Sequence, residues 1–225
     1  LASAPPMARA ADLGEPPPGS IKDDFAPTVS PQLRYYGSIQ GAFVFAEDTD
    51  FDFGTANVIN TYEDLGYSVS ASLGTEIWET SSYVLRGDIE LGYRSAAVES
   101  HIIGGVDQAG STGDTDVFFG LANLTMDFKT GTPFRPYLSA GGGFGHVDLN
   151  GHSTTATGLA MDDSATGYSF QVGAGFSYAL SETTSLTAGY RYFNVIDVDL
   201  TATDGTESSV DVEDHQILLG LRQRF

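Results

Sequence analysis

Apolar and polar residues alternate along most of this chain, and a period of two is the mark of β-strands with two unlike faces. Eight runs carry it. Residues 34–46 set Ile39, Phe43 and Phe45 against Ser38 and Gln40, and residues 65–77 set Tyr67, Val69, Ala71 and Leu73 against Ser68, Ser70, Ser72 and Glu76. In residues 83–98, Tyr83, Leu85, Ile89, Leu91 and Tyr93 oppose Arg86, Asp88, Glu90 and Arg94; in 117–128, Phe118, Leu124, Met126 and Phe128 oppose Asn123, Thr125 and Asp127. The fifth run, 136–147, is too rich in Gly for its faces to be read. Residues 168–180 alternate Tyr168, Phe170, Val172, Ala174, Phe176, Tyr178 and Leu180 with Ser169, Gln171 and Ser177, and 185–195 alternate Leu186, Ala188, Tyr190 and Tyr192 with Thr187 and Arg191. The last run, 215–225, sets Ile217, Leu219 and Leu221 against Gln216, Gly220, Arg222 and Arg224, and closes on Phe225.

The connections alternate too. Residues 78–82, 129–135 and 181–184 are short, whereas 47–64, 99–116, 148–167 and 197–214 are long. Short turns at one end and long loops at the other predict an all-β fold: an eight-stranded antiparallel up-and-down transmembrane barrel with short periplasmic turns and long extracellular loops. An even strand number brings both termini to the short-turn side. Charge decides which face is inside, because Arg86, Asp88, Glu90 and Arg94 on one face would be costly in lipid while the opposite face is apolar apart from Gly87. The terminal Ile217, Leu219, Leu221 and Phe225 then face the membrane and read as its assembly signal, with the last aromatic at the interface.

Composition narrows the class. No stretch approaches the roughly 18 to 20 consecutive apolar residues of a spanning helix, and mean hydropathy is slightly negative. A barrel is compatible with both, because its strands need only about 9 to 11 residues and half their side chains face a polar interior. The 27 Gly, 14 Phe and 11 Tyr suit such strands and their aromatic girdles, and the absence of Cys removes disulfides and thiolate metal sites. Residues 1–10 end in Ala8-Arg9-Ala10, which reads as the residual tail of a signal peptide. Residues 11–32 carry Pro16, Pro17, Pro18, Pro27 and Pro31 and form a Pro-rich periplasmic tail without a core of its own. The barrel then occupies 33–225.

With Ala10-Ala11-Asp12, Arg135-Pro136-Tyr137, Gly141-Gly142-Gly143, Gly189-Tyr190-Arg191-Tyr192 and the run from Gly220 to Phe225, the chain resembles the small eight-stranded outer-membrane barrels of Gram-negative bacteria. It is most similar to the alphaproteobacterial major outer-membrane protein family and its OmpA-like relatives. The resemblance implies a place in the outer membrane, contact with its lipid and lipopolysaccharide, handling by the barrel assembly machinery, and abundance and antigenicity at the surface. It also implies a homo-oligomer or surface lattice, and haem binding in some members.

The inward faces collect Glu76, Arg86, Asp88, Glu90, Arg94, Asp127, Arg191, Arg222 and Arg224. Near-balance of charge in a lumen that eight strands leave just wide enough for side chains predicts an ion-pair network that plugs the barrel. The function this favours is structural and surface-related: envelope integrity, lipopolysaccharide contact and interaction through acidic loops. A small passive pore is the alternative, and a lipid A-modifying barrel enzyme the third reading. Of the 30 Asp and Glu residues, 20 fall in 47–64, 99–116, 148–163 and 197–214, where none of the ten Lys and Arg residues lies. Nucleic acid is therefore excluded as a partner. Asn150-Gly151 and Asp204-Gly205 predict tight turns of hairpins rising above the membrane. His101, His146, His152 and His215 are scattered, and His152, beside Ser153, reads as a solvated loop histidine with no catalytic motif.

No catalytic residue and no firm cofactor emerges. Asp48, Asp50 and Asp52 resemble the start of an EF-hand loop, but Phe53 replaces its glycine and Ile59 its closing glutamate. What remains is weak binding of Ca²⁺ or Mg²⁺, checked by calorimetric titration with Asp50→Asn as the control: heat that the substitution abolishes supports the site, and heat unchanged by it removes the site.

Overall fold

The computed structural model describes residues 34–52, 57–63, 65–154, 161–201 and 207–225. The expected signal remnant and Pro-rich tail, and the Asp204-Gly205 turn, lie outside the described residues. The strands are β1 (Tyr35–Ala46), β2 (Thr49–Asp52), β3 (Asn57–Tyr62), β4 (Gly66–Glu79), β5 (Tyr83–Ile103), β6 (Val106–Asp107), β7 (Thr112–Phe128), β8 (Phe134–Ser153), β9 (Met161–Ala179), β10 (Thr184–Thr201) and β11 (Glu207–Arg224).

Eight of them form an antiparallel ring in the order β1, β4, β5, β7, β8, β9, β10, β11, which returns to β1. The closing pair runs from Tyr36 opposite Arg224 to Ala46 opposite Asp214. Both ends of this ring lie at the short-turn end, where the Phe225 amide donates to the Tyr35 carbonyl.

The outer surface of the ring is apolar over a band that suits a bilayer. Ile39, Leu73, Leu91, Phe118, Leu138, Val172, Leu219 and Leu221 are among the large side chains exposed there, a covering that would be costly against water. Aromatic residues border the band. Tyr35, Trp78, Phe134, Tyr178 and Phe225 are exposed toward the short turns. At the other border Tyr67 meets Tyr93 at 6.1 Å, Tyr93 meets Phe118 at 4.8 Å and Phe144 meets Tyr168 at 5.5 Å between ring centroids. Two aromatic girdles around an apolar belt are what the two membrane interfaces select.

Several sequence expectations need correcting. The long connections are largely strand: β5 has 21 residues, about twice what a bilayer crossing uses. Beyond the membrane band the alternation persists but its polarity inverts. Val195, Val198 and Leu200 point inward while Asp197 and Asp199 are exposed, and Val210 and Val212 are buried beside exposed Asp211. Water now lies outside, so the apolar face turns in. Asn150-Gly151 is not a hairpin tip. Gly151, at φ 63°, sits in β8 at a bulge opposite β9, between Leu149 and His152. The segment that resembles the start of an EF-hand loop is extended over Thr49–Asp52. β2 pairs with β3, Asp50 opposite Ile59, and an extended strand spaces alternate residues by roughly 6 to 7 Å.

The Gly-rich β8 finds its reason in the register. A Cβ on Gly143 would collide with the Gly120 carbonyl, and one on Gly141 would enter the Asn123 side chain, whereas Gly142 faces outward with its nearest neighbour 3.7 Å away. Gly143→Ala is therefore expected to strain the ring by about 1–3 kcal/mol and Gly142→Ala to leave it intact. The heat-dependent gel mobility of refolded protein checks this through the loss of the compact band in the first variant alone.

Candidate functional site

The interior is filled in layers. Nearest the short turns, Arg86 binds Asp127 through two nitrogens, the second at 3.1 Å, and Arg222 approaches the same carboxylate at 3.7 Å. The Arg86 guanidinium lies 5.0 Å from the centre of the Tyr36 ring, a cation–π distance. The Tyr36 hydroxyl donates to Asp88 at 2.7 Å. At the rim, Glu76 sits between Arg34 at 3.4 Å and Arg224 at 3.5 Å. In the turn below, Lys129 donates to Glu79 at 2.6 Å, and that bond holds the Glu79 carboxyl below the usual carboxylate range.

Halfway up, Glu90 accepts from Arg191 at 2.8 Å, Asn123 at 2.8 Å and Gln171 at 3.1 Å. Arg191 also donates to Gln171 at 2.9 Å, and from Nε to Gln216 at 2.9 Å. Gln171 donates to Asn123 at 2.7 Å. Four strands, β5, β7, β9 and β10, thus meet in one hydrogen-bonded layer, with β11 joined through Gln216. Two polar voids of about 60 Å³ and 30 Å³ remain, bordered by Ser38, Asp88 and Thr125 and by Glu76, Asp127 and Arg224 respectively.

Above this layer the contents change. Arg94 and Asp214 pair at 3.1 Å with both side chains 0% exposed. Asp214 receives a hydrogen bond from Gln216, but its contact with Arg94 lacks hydrogen-bond geometry and is held by charge attraction. Around and beyond the pair lies an apolar plug that includes Val117, Phe119, Leu121, Val147, Leu149, Phe193, Val195 and Val212. Side chains thus fill the interior in two ways, by a polar network toward the short turns and by a hydrocarbon cluster toward the other end.

All nine residues expected in the interior network lie on the inner face or its rim. Reading the sequence missed Asp214, which falls in a long connection yet belongs to the inner face of β11, two residues before Gln216. It also missed much of the plug, because Leu149, Val198 and Val212 sit where loops are expected. The signal was present as continued alternation through 195–214.

Of the histidines, His146 and His215 face outward, bonding Thr166 at 2.9 Å and Glu47 at 2.6 Å. His152 corrects the expectation of a solvated side chain: it is 3% exposed, with His101 at 4% exposed and a ring-centroid distance of 5.5 Å. The β8 bulge turns His152 inward, against Gly113 of β7, where a Cβ would lie 2.8 Å from the imidazole. Ile217, Leu219, Leu221 and Phe225 all face outward on or beside β11. Asp48 and Asp50 are exposed, while the side chain of Asp52 lies outside the described residues. Among the described residues no group of three acidic or histidine side chains is placed to hold a metal ion.

A closed antiparallel ring with a charged, hydrogen-bonded interior and an apolar, girdled exterior defines a membrane-spanning β-barrel. The chain belongs to the outer membrane protein β-barrel domain family, whose model matches residues 26–225, and the family places it in the Gram-negative outer membrane among lipid and lipopolysaccharide. It is similar to the outer membrane protein PagN of Salmonella typhimurium, 32% identical over 78 residues, 33% of this chain and 32% of PagN. An uncharacterised protein of Brucella abortus is 27% identical over 178 residues, 70% of this chain and 60% of that protein. The chain thus spans about a third of one curated relative and under two thirds of the other. The crystal structure of Neisserial surface protein A superposes with a TM-score of 0.52 at 20% identity, covering 85% of this chain and 97% of that one, and shows the fold alone.

The Arg94–Asp214 pair yields a prediction. Asp214→Ala leaves a buried guanidinium without its counter-charge and is expected to cost about 3–5 kcal/mol, whereas Arg94→Leu combined with Asp214→Leu costs less than the single change. Urea unfolding from detergent micelles checks the order of the two variants.

Proposed function

We propose that this barrel serves as a structural and surface component of the outer membrane, closed to solutes, with its short turns in the periplasm and its long, acidic strand extensions outside the cell. The observation that carries the reading is the double filling of the lumen. Breaching it would leave Glu90, Arg191, Arg94 and Asp214 with lost partners in a low-dielectric interior, which is strongly unfavourable. The polar voids of about 60 Å³ and 30 Å³ are lined by residues of the polar network and by none of the apolar plug, which supports a lumen without a continuous water column.

The distribution of charge supports this orientation. Carboxylates of the extensions, such as Asp197, Asp199 and Asp211, stand exposed above the aromatic border, where they repel one another and attract cations. That surface suits recognition of basic partners and bridging by divalent cations between carboxylates and the phosphates of lipopolysaccharide. The short turns present small hydroxylated residues such as Thr80, Ser81, Thr130 and Ser181. Ile217, Leu219 and Leu221 on the lipid face of β11 add to the apolar belt that holds the barrel in the membrane.

The reading is non-enzymatic, and planar bilayers test it first. Purified protein is expected to give no discrete, ion-selective steps at voltages where porins conduct; well-defined channels would sink the closed-barrel reading in favour of the passive pore. Lipid A incubated with the protein is expected to keep its mass. On intact cells, protease is expected to cut the segments between β8 and β9 and between β10 and β11 and to spare the short turns. Cleavage of the turns instead would reverse the orientation.

A further inference from the structure

The node formed by Asn60, His101 and His152 lies at the far end of the ring, outside the membrane band, and plays no part in the closed-barrel reading. Asn60 is on β3, His101 directly opposite on β5, and His152 on β8, which does not pair with β3. The Asn60 carboxamide is therefore a side-chain bridge from the β2–β3 hairpin to β8.

The donors and acceptors determine which proton sits where. His152 Nε2 faces the Asp114 carbonyl at 3.1 Å, and a carbonyl only accepts, so Nε2 carries the hydrogen and Nδ1 keeps its lone pair. That lone pair takes the Asn60 amide hydrogen, N to N 3.5 Å. The other end of the carboxamide, Oδ1, then points at His101 Nδ1 at 2.6 Å, which must donate. His101 Nε2 is left without a hydrogen while facing the Thr112 carbonyl at 3.3 Å.

One added proton, on His101 Nε2, supplies that missing donor and disturbs no other bond. A second, on His152 Nδ1, sets an N–H against the N–H of Asn60 and puts two charged rings 5.5 Å apart. We propose that this node is a pH-sensitive latch across the mouth: it holds β3 to β8 while at most one imidazole is protonated and lets go when both are.

Few other charges act on it. From β7, Asp114 approaches with an exposed carboxylate, and from β3 the Tyr62 hydroxyl bonds to Thr49 at 3.1 Å and to Thr115 at 3.3 Å. From β5 and β8 the titratable groups are the two histidines themselves. Burial, the largest influence, pushes both imidazoles below the usual histidine value near 6.5; Thr112 opposes it at His101 and Asp114 at His152, while the neighbouring His101 lowers His152 further. The fold thus prefers the neutral rings. Its stability contribution is complete above the ordinary histidine range and is lost as the pH falls through the lowered values.

The test is amide hydrogen exchange on the full chain refolded in lipid nanodiscs, read as protection factors from pH 7.5 to 4. Residues 59–62 are expected to lose protection at least tenfold on acidification, while the membrane-band strands keep theirs. Asn60→Asp, whose carboxylate accepts from both charged imidazoles, is expected to keep 59–62 protected over the same range, and His152→Gln to remove the acid step. Heat-dependent gel mobility confirms folding of each variant, and if His152→Gln fails to fold, Asn60→Asp still decides. Constant protection in the unaltered protein overturns the latch, as does loss of protection in Asn60→Asp at the same pH.

Discussion

A strand edge facing hydrocarbon would leave a row of N–H and C=O groups without partners, each costing several kcal/mol. The register of β1 against β11, from Tyr36 opposite Arg224 to Ala46 opposite Asp214, removes that edge. Everything else in the molecule follows from the closure. It creates an inside, brings the first and last strands together, and commits every inward side chain to find partners within a space that eight strands barely leave open.

The inward chemistry answers that constraint in two ways along one axis. In the membrane band the outer face must be apolar, and the inner face is free to carry charge provided each charge is matched. Arg86 with Asp127 and Arg191 with Glu90 meet that condition. Above the band the outer face meets water, the inner face becomes apolar, and Val198, Leu200 and Val212 pack as in a soluble protein. Arg94 and Asp214 sit at the change between the two regimes, where neither the polar network nor the plug offers them hydrogen bonds beyond Gln216. A buried pair in such a place adds little stability and is costly to break singly, which suits a part that locks the register of β5 relative to β11.

Much of this was legible in the residues. The alternation of Leu85, Ile89, Leu91 and Tyr93 with Arg86, Asp88, Glu90 and Arg94 identifies lipid and lumen faces without any coordinates, because period two is a local property of the pleat. Residues 99–116 and 197–214 read as loops only while every strand is required to face its apolar side outward. Ala96 and Val98, like Val210 and Val212, obey the same period with the faces exchanged. The Gly-rich 136–147 stayed unreadable, since Gly141 and Gly143 have no side chain to report a face and are glycine only because Asn123 and Gly120 stand opposite.

By itself the sequence determined the strand period, the lipid-facing residues, the girdle aromatics and the concentration of carboxylates at one end. All of these depend on neighbours within a few positions. Only the tertiary structure decided that Asp214 answers Arg94, that a bulge in β8 turns His152 inward, and that Asn60 joins it to His101. Those contacts depend on which strands become neighbours and in what register, and register between segments far apart in the chain is set when the ring closes.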